Sequence, residues 1–122
     1  KKPIIEDLIF NGNAILTSSV VIKKDLFELN GKFSENSDLV TVEDLDAWIR
    51  FSMISERFIY LPTQMGYCYV GKSNTSNLYH KRVKGLKQIL LIYSQEINNS
   101  AGKPNLIYFS IAKNTFNKCV VI

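Results

Sequence analysis

Glu43, Asp44 and Asp46 set three carboxylates within four residues, and Trp48 and Arg50 follow directly. The stretch before them, Phe33 to Val40, is polar and carries the turn formers Asn36, Ser37 and Asp38. Leu45, Trp48, Ile49 and Met53 recur at helical spacing, which predicts a helix capped by Thr41 and running to about Ser55. On that helix Asp44 and Trp48 are four residues apart and share a face, while Asp46 and Arg50 pair on another. A carboxylate beside an indole ring suits a saccharide: it offers an acceptor for a hydroxyl and apolar surface for the ring. The same residues also suit plain structural roles. Acids in a first turn complement the helix dipole, and an intrahelical Asp–Arg pair contributes about 0.2–0.5 kcal/mol. A tryptophan on an apolar stripe belongs in a core as readily as in a site.

The elements that must hold this group are legible in part. Asn13 to Ile22 is rich in β-branched residues and reads as a buried strand. Asp25 to Asn30 reads as a short helix stopped by Gly31, the residue that most readily takes the left-handed C-terminal conformation. Arg57 to Leu61, ended by Pro62, and Met65 to Val70 read as two further short strands. From Leu78 to Ile97 the residues Tyr79, Val83, Leu86, Leu90, Tyr93 and Ile97 form one helical stripe, with Lys81, Arg82, Lys84 and Lys87 largely off it. A last helix is expected from Pro104 to about Asn117.

With 122 residues, the chain has length for one core. Its 46% hydrophobic and 21% charged residues are those of an ordinary globular protein. No apolar run approaches the roughly 20 residues needed to span a bilayer. Cys68 and Cys119 form no CxxC pair and His80 is the single histidine, so no metal site is expected from these residues. The two thiols read as reduced and buried. Charge is divided sharply: residues 1–70 hold seven Lys and Arg against ten Asp and Glu, and residues 71–122 hold eight against Glu96 alone. This division points to chemistry in the first part and an anionic partner for the second.

Five short motifs in order bear a resemblance to a known family. They are Leu16 to Ile22 with Lys23 and Lys24 after it, then Asn30-Gly31-Lys32-Phe33-Ser34-Glu35, then Glu43, Asp44, Asp46, Trp48 and Arg50, then Tyr60-Leu61-Pro62, then Gly66-Tyr67-Cys68-Tyr69. Over residues 13–76 this series resembles the acceptor-side, C-terminal half of bacterial family 2 glycosyltransferases of the GT-A fold. The family's R-x-H after the tyrosine strand is not matched, since Tyr69 and Gly71 stand there.

The resemblance implies an α/β fold: a partial GT-A unit over residues 1–76, with a short mixed sheet packed with several helices, and a mainly helical, basic C-terminal extension over residues 77–122. It implies a segment of a longer enzyme that transfers a sugar from a nucleotide-sugar donor to a saccharide or lipid-linked acceptor, with inversion. In that scheme Asp44 is the general base, Glu43 and Trp48 bind or support the acceptor, and Asp46 and Arg50 brace the helix. A divalent cation, Mg or Mn, is expected on the donor-binding half, whose Asp-x-Asp motif this sequence lacks, so the segment alone is expected to be inactive. A cytoplasmic location is expected, with the basic extension touching the inner membrane face and some self-association of the isolated segment. Nucleic acid is not an expected partner, because no binding signature is present and the acidic group repels phosphate. The alternative is a non-catalytic interaction module or a degenerate transferase remnant.

Overall fold

The structure, a computed structural model, describes residues 4–63, 66–67 and 78–99. Among these residues five α-helices carry the fold: α1 (Ile4–Asn11), α2 (Lys24–Leu29), α3 (Glu43–Ile54), α4 (Tyr79–Ile92) and α5 (Ser94–Asn99). Two single turns of 3-10 helix, Thr17–Ser19 and Ser37–Leu39, lie between them.

The expected mixed sheet is corrected by this architecture, because no strand occurs among the described residues. Asn13 to Ile22 instead contains the turn at Thr17–Ser19, with Leu16 and Val20 extended on either side. Arg57 to Leu61 is irregular, with Ile59, Tyr60 and Leu61 exposed. β-branched residues favour a strand only where a neighbouring strand supplies hydrogen bonds and cross-strand contacts. Neither segment has one among the described residues. The third expected strand, the two cysteines and the helix from Pro104 lie mainly or wholly outside the described residues.

At the centre is α3, buried around most of its girth. Leu45, Ala47, Trp48, Ile49 and Phe51 are all in the core, with Ala47 and Ile49 fully shielded. Such a helix is covered on several sides. From one side α1 packs against it, contributing Leu8 and Ile9. A short α2 brings Phe27 within 6.3 Å of Phe51 and 5.4 Å of Phe33, and Phe33 meets Trp48 edge-on at 5.9 Å. Each large side chain buried in this way stabilises the fold by about 1.5–3 kcal/mol.

Gly31 ends α2 as expected, with φ of +79° and its N–H bonded to the Glu28 carbonyl. The cap of α3 differs from expectation. Val42 is its N-cap residue, and no side chain caps the first turn. Thr41 has a φ of +80° and precedes the N-cap, and its Oγ1 is buried without a partner among the described residues. A β-branched residue at positive φ is strained by about 1–3 kcal/mol.

The long C-terminal helix is divided at Tyr93, which leaves helical geometry and separates α4 from α5. The stripe holds in its second half, with Leu86, Tyr93 and Ile97 buried; Ile89 joins them, and Tyr79 is exposed. α4 crosses the Ser37–Leu39 turn at Gly85. A Cβ there would lie 2.5 Å from Val42 Cγ2, so the close approach requires glycine.

Candidate functional site

The first turn of α3 carries the carboxylates, and the irregular Gly12–Leu16 segment and the turn after it supply their partners. Asn13 Nδ2 and Thr17 Oγ1 both donate to Asp44 Oδ2, at 3.0 and 2.9 Å. Asn13 is itself fixed, since its Oδ1 accepts the Ile15 N–H at 2.9 Å and thereby turns its amide nitrogen towards Asp44. The Leu45 N–H donates to Asp44 Oδ1 at 2.8 Å. A carboxylate has about four lone-pair sites. Oδ2 is saturated and Oδ1 keeps one, so an incoming hydroxyl has one place to bind on Asp44.

Glu43, the neighbouring acid, is half-buried, and its Oε2 is shielded from solvent without a hydrogen-bond partner among the described residues. Trp48 Nε1 is in the same condition. Buried polar atoms are nearly always satisfied, so these two are exceptions, standing five positions apart on α3. Trp48 is 2% exposed and belongs to the core, yet its ring forms part of the wall of an open groove of about 270 Å³. Val20, Ile22, Phe27 and Phe33 add apolar surface, and Thr17 and Lys24 add polar groups. Thr17 thus both lines the groove and holds Asp44.

Asp46 and Arg50 form a different unit. Asp46 is buried, and Arg50 Nε and Nη2 both reach its Oδ2 at 2.9 Å. Arg50 also binds the loop after α2, donating through Nη1 to the Asn30 carbonyl and through Nη2 to the Lys32 carbonyl at 2.7 Å. The second Asp46 oxygen, Oδ1, accepts from the Tyr93 hydroxyl at 2.7 Å. Burial, then the hydrogen bond to Asp46 and its charge, pushes the Tyr93 phenol well above its ordinary range, with Arg50 opposing. The bracing expected of this pair is therefore broader than one intrahelical contact: it joins α3, the loop after α2 and the α4–α5 junction.

The structure brings Asp44 together with Asn13 and Thr17, two partners that sequence reasoning missed. It keeps Asp46 and Arg50 apart from them in a separate network. Asn13 carried no signal beyond its place after Gly12. Tyr93 had one, because a tyrosine on a buried helical stripe needs a partner for its hydroxyl. Among the described residues no group of His, Cys, Asp and Glu is arranged to hold a metal ion. No described helix is long and apolar enough to cross a membrane. Comparison with known protein families, curated proteins and solved structures finds no match to this chain.

Proposed function

We propose that this chain supplies the acceptor side of an inverting sugar transfer from a nucleotide-sugar donor, with Asp44 as the general base. One observation carries the reading: Asn13 and Thr17 hold the Asp44 carboxylate in a fixed orientation beside an aromatic-walled groove, with one oxygen lone pair left for a hydroxyl. A base need only lie within hydrogen-bond reach of the alcohol, whose proton leaves as the new bond to the anomeric carbon forms. Attack from the face opposite the departing nucleotide inverts that carbon. Glu43, with an unpaired buried oxygen, suits a second acceptor hydroxyl, and the groove wall around Trp48 suits the apolar face of the sugar. Asp46 and Arg50 keep the helix and the loop after α2 in register beneath these groups.

The test is a transfer assay on the intact protein with nucleotide-sugar donors and saccharide acceptors, the product's anomeric configuration being read by NMR. Inversion is expected, and a retained configuration contradicts the proposal. Exposed Ile59, Tyr60 and Leu61 favour a second reading, a non-catalytic interaction module. Under that reading no donor is consumed, and substitutions at these three residues abolish association with a partner protein.

A further inference from the structure

We propose that the outer face of α4 is a docking surface for an anionic lipid bilayer. From Arg57 to Gln95 the sequence holds six Lys and Arg, Arg57 included, and no acid. Helical geometry concentrates the charge. His80, Lys84, Lys87 and Leu91 stand at successive steps of four, three and four, which aligns them in one row opposite the buried Gly85, Leu86 and Ile89. All four are exposed. Lys81 flanks the row and is exposed too. Lys84 is partly neutralised by Asp38 at 2.7 Å, but Lys81 and Lys87 make no ion pair among the described residues.

The partner's chemistry follows from what accompanies the charge. The row ends in Leu91, exposed over 67% of its surface, and Ile92 is half exposed next to it. Lysines that bind headgroup phosphate beside aliphatic side chains that enter the acyl boundary form an interfacial surface. A nucleic acid would gain nothing from exposed Leu91 and Ile92, whereas the acyl boundary of a bilayer takes up their aliphatic surface. The helix lies along the surface rather than through it, since its apolar face is already buried against the core. The proposal stands independently of the role given to Asp44.

Sedimentation of the full chain with vesicles tests it. Binding is expected to phosphatidylcholine vesicles containing phosphatidylglycerol, and not to phosphatidylcholine alone. Each lysine neutralised is expected to weaken binding about fivefold, so Lys81→Gln with Lys87→Gln loses about 25-fold. Both residues are exposed, so the circular dichroism of the double variant should match the parent. Four results overturn the proposal: no vesicle binding, equal binding to neutral and anionic vesicles, undiminished binding by the double variant, or capture of a DNA duplex in preference to vesicles.

Discussion

Asp44 and Asp46 are two positions apart on one helix and have opposite surroundings. Each carboxylate has three donors, but Asp44 is half-buried and reachable, while Asp46 is buried beneath Arg50 and Tyr93. The first arrangement leaves room for a ligand, and the second leaves none. Removing one partner of a buried pair strands the other charge, at a cost of about 3–5 kcal/mol. Arg50→Met should therefore lower the urea unfolding free energy by about 3 kcal/mol, and Asp44→Asn by about 1 kcal/mol. Tyr93 adds a pH signature. Its proton is held more tightly in the folded chain, so its contribution is complete below the unfolded value of 10.0 and is lost as pH rises above it. Unfolding free energy should fall as pH rises above 10.0 more steeply in the parent than in Tyr93→Phe. Equal slopes would show that the phenol is not held in this way.

At the scale of elements, the crossing of α4 over Val42 is the most exposed to a single change. Gly85→Ala gives a better helix former, worth about 1 kcal/mol, but sets a methyl 2.5 Å from Val42 Cγ2. Overpacking of this kind costs about 1–3 kcal/mol, so net destabilisation is expected, and thermal melts should show a lower midpoint. Val42→Ala in the same chain should recover part of the loss, which makes the two substitutions non-additive. Sequence reading found α2, α3 and the buried second half of the C-terminal stripe, because each is written in local spacing and in one terminating glycine. It missed α1 and misassigned Asn13 to Ile22 and Arg57 to Leu61. Strand propensity is realised only through a partner strand, and that information is not local. The Asp44 contacts with Asn13 and Thr17, and the Asp46 contact with Tyr93, span 31, 27 and 47 positions. No periodicity reports pairs so far apart.

The described residues form a helical assembly built around α3, and its polar networks radiate from that helix. One network, through Asp46, Arg50 and Tyr93, fixes the loop after α2 and the junction of α4 and α5. The other, through Asp44, Asn13 and Thr17, fixes the Gly12–Leu16 segment and ends at a groove. The loop at Asn30 to Phe33 and the acidic helix meet through Arg50 and Trp48. The sheet that the resemblance implied is absent from the described residues. The role proposed for Asp44 therefore rests on its own geometry and on the chemistry it permits. Turnover by Asp44→Asn in the intact protein, compared at equal folded fraction with the parent, tests that role most directly. An amide cannot take the hydroxyl proton, and loss of a general base lowers kcat by about 10²–10⁴-fold with donor binding retained. Turnover within a factor of about two of the parent would contradict the assignment of Asp44 as the base.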